Sequence, residues 1–289
     1  MKLGSENHKE LFCRSFIESH INFEPEQLSW PTVDSVTLDR LHGIPFWKEA
    51  LSTEQKAGAM VHTFAQTIGD PLLREAIALQ GMEETRHFRL IKFLIEHYNI
   101  PISQSSEPGI PNNIKTAFID FGFGECLDSF LAFGMFGIAR KAGYMPEAFF
   151  HIFDPILNEE ARHIMFFVNW VTYLQIQEGK KANWLRGVLA LWHYQRALKE
   201  KISAFKGSDE ERNQSFTATG AVNFMDNLTP ELFLSTCLEE NTKRMSAFDQ
   251  RLLQPQLLPT LAKIALHVIK LMPEKRKDQT TRFSKVKES

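Results

Sequence analysis

Cysteine is scarce in this sequence, which has 3 cysteines among 289 residues. Cys13, Cys126 and Cys237 lie far apart along the chain. This number and this spacing exclude the disulfide framework that small secreted domains use for stability. They are typical of a protein in a reducing compartment, and we therefore predict a cytoplasmic protein.

Long hydrophobic runs and signal-peptide features are also missing. Arg, Lys, Glu or His interrupts every apolar stretch before it reaches the roughly 18 residues that a transmembrane helix needs. The first residues, MKLGSENHKELFCRSF, contain no apolar core of the length found in signal peptides. These absences predict a protein without a membrane span.

The charge balance gives no general preference for a charged partner. The formal net charge is −2, so the sequence predicts binding neither to nucleic acid nor to an acidic membrane. The stretch EKRKDQTTRFSKVK (274–287) is basic and polar, as is typical of a solvated terminus. We therefore expect 274–289 to form a flexible tail.

Strand patterns are rare, because apolar residues recur mostly at spacings of three and four. We predict an all-α fold with one helical domain over 1–273, whose four-helix core covers about 46–178. The predicted helices are 7–22, 46–68, 71–98, 112–142, 146–178, 184–205, 229–251 and 257–271. The predicted loops are most of 24–44, then 99–111 and 207–228.

Capping residues support several of these boundaries. Asp70 followed by Pro71 is a favourable N-terminus, because Asp caps free N–H groups and Pro fits the first helical position. Gly143 and Gly179 are suited to helix ends, where glycine is common. Short hairpins are therefore expected near 69–70 and 143–145.

A five-residue pattern occurs twice, as EETRH (83–87) and EEARH (159–163). Residues three apart on an α-helix lie on the same face. Glu84 can therefore point in the same direction as His87, and Glu160 in the same direction as His163. Each pair of carboxylate and imidazole could hold a metal ion.

Each hairpin also offers a second glutamate at a similar height. Glu54 and Glu84 would both lie about 22 Å from the first turn at 1.5 Å per residue. Glu125 and Glu160 are related in the same way, although less closely, by the second turn. The sum is four carboxylates and two imidazoles, which is the ligand set of a di-iron or di-manganese carboxylate bundle.

These motifs and spacings resemble the ferritin-like di-iron carboxylate superfamily, over about 46–178. The resemblance is to its oxygen-activating branch, which includes monooxygenase hydroxylases, acyl-carrier-protein desaturases and the small subunit of ribonucleotide reductase. It implies a ferritin-like four-helix bundle with additional N- and C-terminal helices. It further implies two iron ions bound by Glu54, Glu84, His87, Glu125, Glu160 and His163.

The resemblance also assigns roles to the neighbouring charged residues. Glu159 would orient His87 and Glu83 would orient His163, each across the bundle, because a metal-bound imidazole needs an acceptor for its other N–H group. Arg86 and Arg162 would neutralise these two acids. The alternative interpretation of the four residues Glu83, Arg86, Glu159 and Arg162 is a set of solvated surface salt bridges.

The ligand types limit the metal. Carboxylates with two imidazoles suit iron or manganese, and a mixed manganese–iron pair also fits. Cys126 follows Glu125 directly and is rotated about 100° from it on a helix. We therefore expect Cys126 to be a small core residue rather than a ligand.

The predicted helix 112–142 is rich in glycine and phenylalanine. One interpretation is close helix packing with a phenylalanine core. The other is an apolar substrate cavity beside Glu125, bordered by Phe121, Gly122 and Phe133. Ser129 lies one turn beyond Glu125, where monooxygenase hydroxylases carry a threonine that resembles a proton donor to oxygen. Ser129 is therefore the candidate catalytic residue, and the alternative is a hydroxyl bonded to its own helix.

Three functions are compatible with this centre. The first is oxidation of a small apolar organic substrate by O2, with electrons from a ferredoxin or reductase, since no flavin or nicotinamide motif is present. The second is a ferroxidase, iron-handling or peroxide-scavenging role, although Cys-x-x-Cys pairs are absent. The third is a radical-generating or Mn/Fe oxidase, although Ile91 occupies the position of the radical tyrosine. The resemblance also implies a homodimer.

Overall fold

The computed structural model describes residues 1–103, 109–205, 224, 225 and 227–271, with side chains omitted for 200–205. These residues form helices and connecting turns, and none of them lies in a β-strand, which confirms the predicted all-α class. The helices are α1 (Glu6–Glu18), α2 (Ser35–His42), α3 (Trp47–Gln66), α4 (Pro71–His97), α5 (Ile114–Lys141), α6 (Glu147–Gln177), α7 (Asn183–Phe205), α8 (Pro230–Met245) and α9 (Leu257–Leu271), with a short 3-10 turn at Pro25–Gln27.

The predicted caps of the central helices are present. Asp70 accepts hydrogen bonds from the backbone N–H groups of Leu72 and Leu73, both at 3.0 Å, and Pro71 opens α4. Gly143 and Gly179 follow α5 and α6 with φ angles of 59° and 84°. Glycine adopts this left-handed conformation without the steric cost that a side chain would add.

Two predicted boundaries were wrong, and one helix was not predicted. α1 ends at Glu18 rather than residue 22, with Ser19 as its C-cap and the Ser19 hydroxyl donating to the carbonyl of Ser15 at 2.6 Å. The stretch 24–44 contains α2, whose first turn is capped by Asp34 through the N–H group of Thr37 at 2.7 Å. α8 ends at Met245, not at residue 251. The predicted loop 207–228 and tail 274–289 lie largely or wholly outside the described residues.

Four long helices surround one interior. α3 packs against α4 and α5, and α6 packs against the same two helices. The other helices lie outside this group: α1 packs on α4 and α6, α7 and α8 pack on α5, and α9 packs on α8. Interior side chains from the four central helices can therefore meet at one level.

The interior has an ionisable layer between two apolar clusters. Along α4, Ile77 belongs to one cluster and Leu94 to the other, and the EETRH segment lies between them. Along α6, Phe153 and Phe166 are separated in the same way by the EEARH segment. The apolar clusters stabilise the bundle, and they hold the charged layer away from water.

α5 alone among the described helices is long and apolar enough to cross a membrane. In its most apolar window, 67% of the residues are buried inside the protein. The helix contacts α3, α6, α7 and α8, so its apolar surface is covered by protein. This burial is typical of the core helix of a soluble protein.

Candidate metal centre

The four central helices bring carboxylates and imidazoles together in two overlapping groups. Within each group, one ligand atom from every residue lies within 4.8 Å of the others. The first group is Glu54, Glu84, His87 and Glu160, and the second is Glu84, Glu125 and His163. Glu84 belongs to both groups, so the two form one continuous centre.

Two carboxylates span the distance between the imidazoles. Glu84 places Oε1 at 3.1 Å from Nδ1 of His163 and Oε2 at 3.8 Å from Nδ1 of His87. Glu160 does the same, with Oε1 at 3.1 Å from His87 Nδ1 and Oε2 at 3.7 Å from His163 Nδ1. Each carboxylate therefore offers one oxygen to each half of the centre, as a bridging ligand would.

Each imidazole is held from behind by the glutamate of the opposite repeat. His87 Nε2 donates to Glu159 Oε2 at 2.9 Å, and His163 Nε2 donates to Glu83 Oε2 at 2.9 Å. Each bond joins a histidine on one of the helices α4 and α6 to a glutamate on the other. In a neutral ring with the proton on Nε2, the Nδ1 lone pair would be free to bind a cation between the inward carboxylates.

The two backing glutamates are paired with the arginines of the repeats. Arg86 donates to Glu159, and Arg162 donates to Glu83 at 2.9 Å. All four side chains are buried, which rules out the solvated surface pairs considered above. A buried carboxylate without such a partner would be costly.

The centre has more negative than positive charge. Six glutamates surround it, and the two arginines leave four carboxylates without a cationic partner when the imidazoles are neutral. The inward atoms Glu84 Oε2, Glu125 Oε2, His87 Nδ1 and His163 Nδ1 are buried and have no hydrogen-bond partner among the described residues. Two divalent cations would balance the charge and satisfy these atoms, so the residues fit a two-metal centre.

The pKa values of the carboxylates reflect this excess charge. Burial, reinforced by Glu160 and Glu84 and opposed by His87, raises the pKa of Glu54 to about 8. Burial and the same two carboxylates raise the pKa of Glu125 well above its usual range. Without a cation, these side chains therefore tend to keep a proton at neutral pH.

The imidazoles and Glu83 shift in the direction expected of paired groups. Burial alone would lower the pKa of both histidines, but the surrounding carboxylates raise it well above its usual range. Burial alone would raise the pKa of Glu83, but His163, Arg162 and His20 lower it to about 2. The interior thus favours cations at its centre and anions behind the imidazoles.

Two polar residues at the centre escaped the sequence analysis. His20, just beyond α1, donates through Nδ1 to Glu83 Oε1 at 2.5 Å. His20, Glu83 and Glu159 also approach within 4.8 Å, but the glutamates are engaged by arginines, so this group is a support rather than a ligand set. Gln80 lies one turn before Glu84 and donates to Glu84 Oε1 at 3.2 Å. The position of Gln80 four residues before Glu84 could have revealed this contact from the sequence.

An apolar cavity of about 140 Å³ opens onto the centre. Glu54, Glu125 and Glu160 line its polar end. Its other walls extend along α5 as far as Ala139, about 20 Å from Glu125 at 1.5 Å per residue. The apolar walls are formed by Leu41, Ile44, Phe46, Trp47, Ala50, Ile91, Ala132, Met135, Phe136, Ala139, Met145, Phe149, Phe150, Phe153, Ile156, Leu157 and Phe224.

The three residues that the sequence analysis assigned to substrate binding do not line this cavity. A Cβ atom added to Gly122 would lie 2.1 Å from the ring of Phe167, so this glycine permits close packing of α5 against α6. Phe133 is buried beneath the guanidinium group of Arg244, 5.2 Å from its ring centre. Phe121 packs in the apolar cluster on the opposite side of the ionisable layer from most of the cavity wall. Phe121, Gly122 and Phe133 therefore lie outside this cavity, and their role in substrate binding stays a prediction.

Ser129 and Cys126, one turn apart on α5, have different surroundings. The Ser129 hydroxyl lies 3.5 Å from Glu160 Oε2 and lines the cavity. Cys126 is buried outside the ligand groups, where burial and a hydrogen bond with Tyr194 govern its thiol. Tyr98 and Tyr173 hydrogen-bond to Pro31 and Glu6, away from the centre.

Comparison with known proteins does not extend this description. No family model matches the chain, and no curated protein or solved structure matches it either.

Proposed function

We propose that this chain is a ferritin-like di-iron carboxylate oxidoreductase that uses O2 to oxidise an apolar organic substrate. One observation carries the proposal: four buried ligand atoms, from Glu84, His87, Glu125 and His163, point into a shared interior without a hydrogen-bond partner. Native proteins rarely leave buried polar atoms unsatisfied. A pair of bound cations is the arrangement that accounts for all four atoms.

The two positions would share ligands. Glu54 and His87 would hold one ion, Glu125 and His163 the other, and Glu84 and Glu160 would contact both. When bound, two iron ions would supply the redox chemistry and the coordination sites that O2 requires. Oxygen and nitrogen ligands without a thiolate favour iron or manganese, and a mixed pair is the alternative.

The supporting residues fix the ligands before any ion binds. The Nε2 bonds to Glu159 and Glu83 hold each imidazole in one orientation, with Nδ1 directed inward. Such bonds behind a metal ligand increase its basicity and restrict its rotation. Arg86 and Arg162 pair with the backing carboxylates and hold them in place as acceptors.

The cavity supports an organic substrate. Cavities near 150 Å³ with apolar walls can bind a molecule the size of benzene, and this one is about 140 Å³. It is long, so a linear or narrow apolar molecule would fit with its reactive end beside Glu160. The Ser129 hydroxyl lies at that end and can hold a proton close to Glu160 Oε2.

Several partners follow from this proposal. The described residues contain no second redox centre, so an external carrier such as a ferredoxin or a reductase would supply electrons. A homodimer in the cytoplasm is proposed with it, from the resemblance and the reduced cysteines. An iron-storage role has less support, because most of the cavity wall is apolar, although Glu49 and Asp128 line the cavity in addition to the three ligand glutamates.

Metal counting tests the centre directly. We expect about two iron or manganese ions per wild-type chain and loss of at least one in His87→Ala and in His163→Ala, since each variant lacks a ligand. His151→Ala, an exposed position on α6, is the matched control and should keep both ions. Full occupancy in both ligand variants would refute the centre, and iron far beyond two ions per chain would indicate storage.

A cavity-filling substitution tests the substrate part. Ala132 lies on the cavity wall one turn beyond Ser129. Ala132→Phe should leave the metal content unchanged and lower substrate-stimulated O2 uptake at least tenfold, about 1.4 kcal/mol of transition-state stabilisation. Gly124→Ala adds a methyl group where no atom lies within 4 Å and is the matched control on α5. Undiminished uptake in Ala132→Phe, measured over a panel of fatty acids and amines, would exclude this cavity as the substrate site.

A further inference from the structure

The two repeats of the candidate centre differ in the residue that lies one helical turn before the inward glutamate. Gln80 stands four residues before Glu84, whereas Ile156 stands four residues before Glu160. Residues four apart share one face of a helix, so each of the two lies beside a carboxylate that approaches both imidazoles. Both side chains are buried, with exposed fractions of 2% for Gln80 and 8% for Ile156. The halves therefore share their ligand types but differ in one buried neighbour.

The amide group of Gln80 has a hydrogen bond at one of its two ends. Its Nε2 donates to Glu84 Oε1 at 3.2 Å. Its Oε1 is buried and has no hydrogen-bond partner among the described residues. Turning the amide over would bring its oxygen against a carboxylate oxygen, and two acceptors form no bond. A buried amide oxygen without a partner destabilises the folded chain.

The packing of the bundle does not require an amide at position 80. At the equivalent position of the other repeat, the apolar Ile156 is buried in one of the apolar clusters. An apolar side chain at position 80 would leave no amide oxygen unsatisfied. Gln80 does not line the cavity, so contact with a substrate there does not account for it. The contact with Glu84 is therefore the feature that explains this residue.

The hydrogen bond from Gln80 reaches one side of the centre. Glu84 Oε1, which accepts this bond, is the oxygen that lies 3.1 Å from Nδ1 of His163. Glu84 Oε2 lies on the side of His87, 3.8 Å from its Nδ1. This second oxygen is buried and has no hydrogen-bond partner in the part of the chain that the structure describes. The amide thus fixes the rotation of the carboxylate by holding the oxygen next to His163.

The carboxylate of the other repeat is approached from the same side. The Ser129 hydroxyl lies 3.5 Å from Glu160 Oε2, and this oxygen lies 3.7 Å from Nδ1 of His163. Glu160 Oε1 lies on the other side, 3.1 Å from Nδ1 of His87. Because 3.5 Å is long for a hydroxyl bond, the Gln80 amide is the stronger of the two supports. Both supports favour the half of the centre that contains His163.

We propose that Gln80 is a positioning residue that makes the two metal positions unequal, and that the position beside His163 binds its ion more tightly. This inference rests on the proposed two-metal function. Gln80 acts through Glu84, whose Oε1 it holds beside His163 before an ion binds. Hydrogen bonds to a ligating carboxylate typically contribute about 10- to 100-fold to metal affinity. The position beside His163 therefore fills first when metal is limiting, and the position beside His87 fills second.

Stepwise titration of the metal-free full chain with Co²⁺ tests the proposal. The visible absorption of Co²⁺ reports its coordination, and a competing chelator gives the affinity of each step. We expect two separate steps in the wild type. Gln80→Met keeps the length of the side chain and Gln80→Ile copies the other repeat, but neither carries an N–H donor. Both variants should weaken the tighter step at least about tenfold and bring the two steps closer together.

Ligand variants assign the steps to the two positions. His163→Ala should remove the tighter step, and His87→Ala should remove the weaker one, because each lacks the imidazole of one position. The matched control is Gln175→Met, which replaces a buried glutamine of α6 about 18 Å beyond His163 at 1.5 Å per residue. This control should leave both steps unchanged. The reverse assignment of the two steps would overturn the proposal.

Urea unfolding of the metal-free variants separates positioning from a structural role. Gln80→Met should be at least as stable as the wild type, because it removes the unsatisfied amide oxygen. A clear loss of stability would assign Gln80 to the fold. Two equal steps in the wild type, or an unchanged tighter step in both Gln80 variants, would overturn its role and leave the two-metal centre intact. A wild type that binds no Co²⁺ would instead refute the centre itself.

Discussion

The two halves of the candidate metal centre are built from the same repeat but are supported differently. In one half, His87 is backed by Glu159 and Arg86, and the guanidinium group lies over the ring of Phe23 at 4.1 Å. In the other, His163 is backed by Glu83 and Arg162. That guanidinium group lies over the ring of Phe16 at 4.6 Å.

The second half has additional contacts from α1 and the residues after it. Arg162 donates to the Ser19 hydroxyl at 3.0 Å and to the carbonyl of Phe16 at 2.6 Å. Glu83 also accepts a bond from His20. The corresponding backbone contact of Arg86, to the carbonyl of Phe23, is longer at 3.5 Å. The N-terminal helix therefore stabilises one half of a centre whose ligands are otherwise arranged symmetrically.

This difference shows what a repeat determines and what it does not. Two copies of Glu-Glu-x-Arg-His on facing helices are sufficient to form reciprocal bonds, because each glutamate reaches the histidine of the other copy. The rigidity of each half depends on elements outside the repeats. Substitutions should therefore reveal an asymmetry that the ligand set alone would not predict.

Removing a backing carboxylate should have the largest effect. Glu159→Ala leaves the buried Arg86 unpaired, and we expect a loss of about 3–5 kcal/mol in the free energy of unfolding. Glu83→Ala should lie at the upper end of that range, because His163, Arg162 and His20 all lose their acceptor. Urea unfolding of both variants measures the difference.

An exposed ion pair provides the control for this experiment. Glu10 pairs with Arg14 on the surface of α1, and Glu10→Ala should cost at most about 1 kcal/mol. If Glu83→Ala and Glu159→Ala fall to the level of Glu10→Ala, the backing pairs contribute little. If they are equal to each other, the support from α1 is not energetically significant.

Local sequence patterns were sufficient for the main helices and for the meeting of the ligands. Helix periodicity and the cap at Asp70 act within a few residues of the chain, so they can be recognised from the sequence. The spacing of Glu84 and His87, three residues apart on one helix, can be recognised over the same short range. α2 was missed because its eight residues lie in a proline-containing stretch and are too few for a clear period.

An apolar cavity beside Glu125 was one of the two interpretations of the sequence. The walls of that cavity and the role of His20 could not be predicted, because both depend on distant parts of the chain. Whether Gly122 leaves space or permits contact is decided by Phe167, which lies on another helix. His20 reaches Glu83 across 63 residues of sequence, and the conformation of the chain after α1 determines that contact. Tertiary packing, rather than a local pattern, sets both.

Acid should weaken the half that depends on α1. His8 is fully buried, donates through Nε2 to Asn169 Oδ1 at 3.1 Å, and accepts at Nδ1 from the Gly4 N–H group at 3.2 Å. Burial lowers its pKa, although the bond to Asn169 opposes the shift. The contribution of neutral His8 to stability is therefore complete above the unfolded pKa of about 6.5. As the pH decreases below that value, the free energy of unfolding decreases by up to about 1.4 kcal/mol per pH unit.

Urea unfolding between about pH 5 and pH 8 measures this effect. The slope below about 6.5 should decrease in His8→Leu, because no imidazole remains to take up a proton in the unfolded chain. His151→Leu, at an exposed position, is the control and should retain the wild-type slope. An unchanged slope in His8→Leu would mean that protonation of His8 does not contribute to the loss of stability in acid.

The substitution with the smallest expected effect, His20→Ala, distinguishes the two halves most clearly. It removes the additional hydrogen bond to Glu83 and leaves both repeats intact. His20→Ala should lower the free energy of unfolding by about 1 kcal/mol, which is typical of one hydrogen bond, since Arg162 and His163 still engage Glu83. Metal competition with a chelator should show faster release of one ion than of the other. Equal release of both ions would place the role of His20 in folding alone. If the variant instead lost as much stability as Glu83→Ala, His20 would be the main partner of that carboxylate rather than an addition to it.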